Sequence, residues 1–349
     1  MPSPRVLILY NEPVLPSDHP DSQSEQEILQ VVGEVGRALG RVGFSLSRLG
    51  LGDDPAVLLE RLKAQKPACV FNLHEGHPDR GQTEAYVAGL MDFLGVPFTG
   101  CPPQTLSLCR AKHQAKLMLR GAGFPTPDSF VVDKPPVPKC DIDWPVIVKP
   151  ALQDASVGVD QSSVVTNQAS LGDRVEYLLS MYGPPVLVER YIRGQEIIVA
   201  LVEMPDLRAL PPSEILFERK EKRGYWQIVT YDGKWKRGSV EYETSPARYP
   251  ADISAEVAAN VTEMAKKVFR LFGCRDYARI DMRLRPSGKP YILEVNPNPD
   301  ISEEAGFAGC LHTAGLSYKD FLSQIVRNAI ARTGEPVPAP QFEKQVQRA

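Results

Sequence analysis

The sequence predicts an α/β protein in which an open parallel α/β domain is followed by two α+β domains. Strand and helix patterns alternate through the first part of the chain, which is typical of a parallel sheet covered by helices. Later strand patterns are joined by short turns and indicate hairpins. The 349 residues exceed the length at which one core keeps growing, so several domains are expected. We place them at 1–103, 104–184 and 185–334, with a loose tail at 335–349.

The composition excludes several classes of partner. Hydrophobic residues make up 43% and charged residues 24% of the chain, the balance of an ordinary soluble globular protein. A net charge of -3 gives no basic field for nucleic acid. No apolar run reaches the ~20 residues of a membrane span, and no signal-peptide pattern precedes the first strand. The six cysteines lack C-x-x-C spacing and are interpreted as reduced thiols, so we expect a cytoplasmic protein with no membrane partner.

The first domain begins with the apolar strand Arg5–Tyr10, of the kind covered on both faces. A helix follows, with a capping box over Ser24–Glu27 and a stop at Gly43. The next predicted elements are the strand Phe44–Arg48, the helix Pro55–Gln65, the strand Ala68–Leu73, the helix Thr83–Leu94 and the strand Val96–Phe98. Ligands bind such sheets beyond the carboxyl ends of the strands. His74 and His77 follow one of these ends; they are not an H-E-x-x-H pair, and a loop that contacts substrate is favoured over a zinc site.

The second domain contains two lysines with candidate roles. A helix runs through Ala111 and Lys112 to Arg120, and an apolar strand at Trp144–Pro150 ends in Lys149 before a loop at 151–158. The other predicted elements are the strands Ser129–Val132 and Ser162–Val165 and the helix Ser170–Met181. No P-loop and no G-x-G-x-x-G occurs. Either lysine alone is typical of a surface, but together with a metal they could hold phosphates from two sides.

The third domain is organised around a hairpin whose polar residues lie where a strand should contribute to the core. Its other predicted elements are the strands Pro185–Ile192 and Glu196–Val202, polar strands as far as Tyr231–Trp235, and the helices Ser254–Phe272 and Tyr318–Arg332. In the hairpin, Arg279 and Asp281 alternate with apolar residues. After a four-residue turn at 286–289, Ile292, Glu294 and Asn296 share one face, and Leu293 and Val295 the other. This turn pairs position 285 with 290, Asp281 with Glu294, and Arg279 with Asn296.

Two directly opposed carboxylates repel each other unless one takes up a proton or a cation lies between them, because their Cβ atoms are only about 4.5–5.5 Å apart. Asp281, Glu294 and Asn296 offer three oxygen donors, which suit Mg²⁺, with Mn²⁺ as an alternative, together with a substrate phosphate. The other interpretation is a hairpin whose charged face is turned to solvent.

The order of these parts resembles the ATP-grasp superfamily, in particular the D-alanine–D-alanine ligase-like carboxylate–amine ligases. The resemblance covers nearly the whole chain. It is most specific in the blocks VIVKP at 146–150, SVG at 156–158, VLVERYIRGQE at 186–196, ARIDMRL at 278–284 and YILEVNPNP at 291–299. It implies two α+β domains that clasp ATP, and small-molecule carboxylate and amine substrates joined through an acyl-phosphate.

The resemblance also implies residue roles. Those assigned to ATP are Lys112 and Lys149 on the phosphates, Ser156, Val157 and Gly158 in the closing loop, Glu189, Arg190 and Ile192 at the adenine, Glu196 at the ribose, and Leu293. Those assigned to catalysis are Arg279, Glu25 and Ser156. Those assigned to substrate binding are Glu25, which receives an ammonium group, and His74, Lys234, Trp235 and Arg279. Asp281, Glu294 and Asn296 match the ligands of two Mg²⁺ ions.

The sequence departs from the family pattern on the side of the second substrate. Ala155, Trp235 and Ala305 stand where hydroxyl-bearing residues are expected, and the preceding Gln153-Asp154 replaces Glu-Gly. The loop should then close less firmly and a small acceptor be held less well. We therefore expect amino acids or amino-acid-like substrates, and inefficient coupling of D-alanine to D-alanine. The alternatives are a true D-alanine–D-alanine ligase, a metal-dependent hydrolase and a non-catalytic nucleotide-binding module. A homodimer is a possible assembly.

Overall fold

The first sheet of the computed structural model has three parallel strands in the order β2-β1-β3. The structure describes residues 3–13, 22–77, 80–218 and 225–332, so the predicted tail at 335–349 lies outside the described residues. The elements of this first part are β1 (Arg5–Asn11), α1 (Ser22–Arg41), β2 (Ser45–Leu51), α2 (Ala56–Gln65), β3 (Cys69–Leu73) and α3 (Thr83–Phe93). The helix α1 begins before the expected capping box, so Ser24 lies within it. The predicted strand at 96–98 is reduced to a parallel bridge between Val70 and Phe98.

The second sheet has four antiparallel strands in the order β4-β7-β5-β6. Its part of the chain contains α4 (Pro103–Arg110), α5 (Lys112–Gly121), β4 (Ser129–Val132), β5 (Val146–Pro150), β6 (Val164–Val165), α6 (Gln168–Tyr182) and β7 (Val186–Arg190). The single helix predicted through position 111 is wrong, because Ala111 leaves the helical region at φ -79 and ψ 75. The amide of Lys112 donates instead to the carbonyl of Ala151, 3.2 Å away. The break places Lys112 at the start of α5.

The third sheet has the order β11-β10-β8-β12-β13, with β9 paired to β8. Its elements are β8 (Gln195–Glu203), β9 (Leu207–Ala209), β10 (Ser213–Ile215), α7 (Tyr231–Trp235), α8 (Val240–Glu243), β11 (Ala247–Arg248), α9 (Ala255–Leu271), β12 (Tyr277–Leu284), β13 (Pro290–Asn296), α10 (Gly306–Thr313) and α11 (Tyr318–Ala331). The segment 231–235 is a helix and not a strand, because the Thr230 hydroxyl caps it by accepting from the Gly233 amide at 3.0 Å. The helix α10 was not predicted.

The first and third sheets share continuous hydrophobic cores. Val6 and Phe71 of the first sheet belong to the same buried cluster as Tyr277 and Phe321. The four-stranded sheet instead has its own cluster, built with α6. The three-sheet arrangement of helices and strands confirms the predicted fold class. Within the described ranges, no helix is both long and apolar enough to cross a membrane.

Candidate active site

A cavity of about 620 Å³ lies between the four-stranded sheet and the third sheet, within the size range of small-molecule sites. Most of the predicted site residues line it together. They are Lys112, Lys149, Ser156, Val157, Glu189, Arg190, Ile192, Glu196, Lys234, Arg279, Asp281, Leu293, Glu294 and Asn296. Gly158, His74 and Trp235 are not among the lining residues of the described chain.

The hairpin of β12 and β13 has the predicted register at its polar end. Asp281 lies opposite Glu294, and Arg279 lies opposite Asn296. At the other end the prediction is wrong: Leu284 pairs with Pro290, and the amide of Arg285 donates to the carbonyl of Lys289 at 3.0 Å. The turn is therefore shorter than expected, and an irregularity after Asp281 restores the register.

This irregularity is a β-bulge that changes which side chains face the cavity. Ile292 is fully buried in the core at 0% exposure, so its predicted position beside Glu294 is wrong. Leu293 and Glu294 are consecutive and both line the cavity. A bulge places an extra residue on one strand and interrupts the alternation of side chains, which explains how two neighbours can share one face.

The three oxygen donors fit a hard divalent cation. Asp281, Glu294 and Asn296 line one cavity, and the Asn296 amide oxygen accepts from the Asn298 amide at 3.0 Å, which orients it. No group of three His, Cys, Asp or Glu side chains suited to a metal occurs in the described ranges. Two carboxylates and an amide suit an ion such as Mg²⁺ that completes its shell with phosphate and water oxygens.

Arg279 makes a two-bonded ion pair with one of these donors. Its Nε and one terminal nitrogen donate to the two oxygens of Asp281, each at 2.8 Å. Burial disfavours the charged guanidinium, but the carboxylate of Asp281 outweighs burial and raises the pKa of Arg279. A cation bound by Asp281 would have to share this carboxylate with Arg279 or displace the guanidinium.

The ammonium of Lys112 is surrounded by carboxylates. It contacts Asp154 and lies 3.7 Å from Glu294, while Arg110 contacts the other oxygen of Asp154 at 3.1 Å. Burial lowers the pKa of Lys112, but Asp154 and Glu294 outweigh it and raise the pKa to about 12. The lysine is fully charged at neutral pH. Its ammonium is paired with Asp154, so a phosphate that binds Lys112 would have to replace this carboxylate.

Lys149 belongs to a triad with Glu189 and Lys116, of which Lys116 was not a predicted site residue. The carboxylate of Glu189 lies 2.5 Å from Lys149 and 2.6 Å from Lys116. Burial raises the pKa of Glu189, but the two lysines outweigh it and lower the pKa to about 2. Lys116 is 1% exposed and one helical turn beyond Lys112, a spacing that could have indicated it. Both predicted phosphate lysines therefore carry carboxylate partners in this structure.

Glu196, predicted at the ribose, is paired with a second buried cation. Arg283 lies 2.7 Å from Glu196 and donates to the carbonyl of Gly194 at 3.0 Å. Burial raises the pKa of Glu196, while Arg283 opposes this rise. Arg283 was not among the predicted site residues, and its ion pair with Glu196 was not anticipated.

The loop after β5 is held in an unusual conformation. Ala155 and Ser156 have φ values of 56 and 62, in the left-handed region that side chains other than glycine rarely adopt. The Trp235 indole Nε1 donates to the Ala155 carbonyl at 3.0 Å. An indole-to-carbonyl hydrogen bond therefore joins these two segments without hydroxyl groups.

Gly158 has a packing role in the same loop. Its φ is +72, and a Cβ atom there would lie 2.8 Å from Pro150 and 2.9 Å from Tyr182. Contacts this short are not tolerated by real side chains, so glycine is required for the chain to pass between the strand and α6.

The residues predicted to contact the substrates are less closely grouped. His74 is 4% exposed, and its Nδ1 accepts from the Gly76 amide at 3.3 Å. Burial and the nearby His77 lower the pKa of His74 to about 4, so the imidazole is neutral at pH 7. Glu25 lies in α1, but its side chain is outside the described residues. Lys234 lines the cavity with its Nζ 5.0 Å from the centre of the Trp235 ring.

Known proteins are similar to this chain in sequence and in fold. The family model described as "D-ala D-ala ligase C-terminus" matches residues 136–327, more than half of the chain. This chain belongs to the D-alanine–D-alanine ligase family. It is thus an ATP-grasp enzyme, a ligase that forms C–N bonds, and the predicted resemblance is confirmed.

Curated relatives match about 70% or more of the chain. The uncharacterised protein y4sG of Sinorhizobium fredii is 32% identical over 75% of this chain and 75% of its own. D-alanine–D-alanine ligase A of Mesorhizobium japonicum is 31% identical over 70% of this chain and 67% of its own. The crystal structure of the Bacillus anthracis ligase with ATP has a TM-score of 0.74 at 21% identity and covers 95% of this chain and 99% of its own.

Proposed function

We propose that this protein couples a carboxylate to an amine through an acyl-phosphate, with ATP as the phosphoryl donor, and that D-alanine is not its preferred second substrate. The observation that carries the proposal is the common lining of one cavity by Lys112, Lys149, Arg279 and the Asp281/Glu294/Asn296 donors. The crystal structure with ATP among its structural neighbours supports the choice of nucleotide.

The nucleotide would bind between the four-stranded sheet and the third sheet. Lys112 and Lys149 supply positive charge for the phosphates, and Glu189 and Arg283 hold Lys149 and Glu196 in place. When bound, Mg²⁺ at Asp281, Glu294 and Asn296 would neutralise phosphate charge. We propose that the domains divide at 1–103, 104–184 and 185–334, so that the second and third enclose the nucleotide.

The reaction then proceeds in two displacements. A carboxylate oxygen of the first substrate attacks the γ-phosphorus, the bond to the β–γ bridging oxygen breaks, and ADP leaves. The amine nitrogen of the second substrate attacks the acyl carbon, and the bond between this carbon and the phosphate oxygen breaks. Phosphate leaves with the electron pair of that bond, and the nitrogen loses a proton. Arg279 provides a fixed cation for the negative charge that develops at the carbonyl oxygen. These steps need positioning and charge neutralisation and no covalent enzyme nucleophile.

Three positions support a second substrate other than D-alanine. Ala155 and Ala305 lack the hydroxyl groups expected from the resemblance, and Trp235 uses its indole N–H on the main chain of the loop. Ala305 precedes α10 without a side-chain capping bond. A site that holds its acceptor with different groups discriminates among acceptors.

We expect the enzyme to work in the cytoplasm, where its six free buried cysteines would stay reduced. A homodimer remains an expectation for its assembly.

A screen of amino-acid pairs for ATP-dependent phosphate release, with products weighed by mass spectrometry, tests the proposal. Stoichiometric ADP, phosphate and an amide product would support it. Hydrolysis of a substrate without nucleotide would contradict it, as would nucleotide binding without any turnover. D-alanine emerging with the highest kcat/KM at both positions would contradict the choice of second substrate.

A further inference from the structure

The ring of Tyr249 lies across the first turn of α10. A Cβ atom on Gly309 would be 2.8 Å from the Tyr249 Cζ, and one on Gly306 would be 3.2 Å from its hydroxyl oxygen. These glycines are three residues apart, so both face the same side of the helix. A side chain at position 309 would displace the ring, and the two glycines together create the space that it occupies.

Tyr249 lies at the end of a row of paired residues that crosses the third sheet. Asp281 pairs with Ile198, and Ile198 pairs with Ser213; Tyr249 follows Arg248, the partner of Glu214. Asp281, Ile198, Ser213 and Tyr249 all line the cavity. Since neighbouring strands lie about 4.8 Å apart, the backbone of Tyr249 is on the order of 14 Å from the candidate metal ligand, and its ring forms the cavity wall on that side.

The phenol is a hydrogen-bond donor with no partner in the part of the chain that the structure describes. Tyr249 is half-buried, and Gly306, where an added Cβ atom would lie against its hydroxyl, also lines the cavity. Burial and Cys310 raise the pKa of the phenol, and Arg279 opposes the rise, so the hydroxyl stays protonated at neutral pH. An anionic group between Tyr249 and Arg279 would receive an O–H donor from one side and a cation from the other.

We propose that Tyr249 determines the specificity for the amine substrate, with its hydroxyl donating to that substrate's carboxylate and its ring limiting the length of the compartment. The ligand is an amino acid that reacts through its amine and is recognised through its carboxylate. The proposal rests on the proposed ligase function.

Initial rates of ADP release, with ATP, carboxylate and amine varied separately, test this role. Tyr249→Phe keeps the ring and should raise the KM for the amine about tenfold or more, since hydrogen bonds to charged groups are worth roughly 1.5–3 kcal/mol. The KM values for ATP and for the carboxylate substrate should stay unchanged. With an amine analogue that lacks the carboxylate, wild type and Tyr249→Phe should be equal. Tyr86→Phe, on an exposed face of α3, is the control for loss of a tyrosine hydroxyl group.

A second pair of variants tests the geometry. Gly309→Ala should push the ring into the cavity and lower kcat/KM for the amine. In a chain that already carries Tyr249→Ala, the same substitution should cause no further loss, because no ring remains to be displaced. An unchanged amine KM in Tyr249→Phe, or equal losses with and without the substrate carboxylate, would overturn the role while the ligase function stands. A wild-type protein that couples no substrate pair would overturn both.

Discussion

The indole Nε1 of Trp235 lies 3.0 Å from the carbonyl oxygen of Ala155 and joins α7 to the loop after β5. Because this loop carries two residues in left-handed conformations, it needs contacts of this kind to stay ordered. Trp235→Phe should lower kcat/KM for ATP roughly three- to tenfold, the value of about one hydrogen bond, and increase proteolysis within 151–158. Trp144→Phe, at a partly exposed tryptophan away from the loop, should leave both unchanged. Equal proteolysis of the loop in wild type and Trp235→Phe would count against this link.

Asp154 should compete with nucleotide for Lys112. Its carboxylate contacts Lys112 and Arg110, and the two cations outweigh burial and lower its pKa. Asp154→Asn keeps the shape and removes the charge, so the Kd for ATP should fall about tenfold, as expected for one charge-assisted contact. Asp173→Asn removes an equal charge from an exposed site of α6 and should leave the Kd unchanged. Weaker ATP binding in Asp154→Asn would show that this carboxylate assists the nucleotide.

Glu294→Gln should abolish turnover without unfolding the protein. The side chain retains its shape but loses the charge that a divalent cation requires, and EDTA should inactivate the wild type in the same way. Calorimetric titration of Mg²⁺ in the presence of an ATP analogue measures the site directly. Glu263→Gln, exposed on α9, is the matched control. Full turnover by Glu294→Gln would exclude the metal site.

Arg279 should act on the chemical step. Arg279→Ala removes the cation and also frees Asp281 from its two hydrogen bonds, so metal binding should not weaken. We expect kcat to fall by about 10²–10³, typical of a lost oxyanion contact, while the Kd for ATP changes little. Arg279→Lys should recover only part of kcat because a lysine cannot reproduce the two-bonded geometry. Loss of ATP binding with kcat preserved would show the opposite role.

The Lys116–Glu189–Lys149 triad should make stability depend on pH in the acid range. The folded-state pKa of Glu189 is about 2, below the ordinary value of 4.5, so its ionisation stabilises the fold above pH 4.5 and this contribution is lost as pH falls towards 2. The contribution at pH 7 is on the order of 3 kcal/mol. Urea denaturation of wild type and Glu189→Gln should therefore show a difference in unfolding free energy that is larger at pH 7 than at pH 4. A difference that grows on acidification would contradict the direction of this shift.

The alternation of apolar and polar residues predicted the hairpin, and counting from the turn predicted the pairs at its polar end. Two errors nevertheless compensated for each other there: the turn was taken as too long, and the bulge at Leu293 was not foreseen. Sequence periodicity cannot locate a bulge, because the bulge is fixed by packing of Ile292 into the core.

Other parts depended on contacts between distant segments. The break at Ala111 requires the Ala151 carbonyl as partner for Lys112, and the buried state of Lys116 requires Glu189. The position of Tyr249 could not be predicted from the sequence, because its ring is placed by two glycines that lie more than fifty residues further along the chain. The local sequence pattern therefore predicted site residues on strands better than site residues whose positions depend on tertiary contacts.

The hydrophobic core that the first and third sheets share limits which part of the enzyme can move relative to the rest. Asp276 is completely buried and accepts hydrogen bonds from the Gly100 amide at 2.8 Å and from Arg332 at 2.8 Å. Separation of these segments would leave the carboxylate charge unpaired in an apolar interior. The four-stranded sheet has a core of its own. We therefore expect the hinge of nucleotide entry and product release to lie at the borders of that sheet, which would move as a flap over a fixed base.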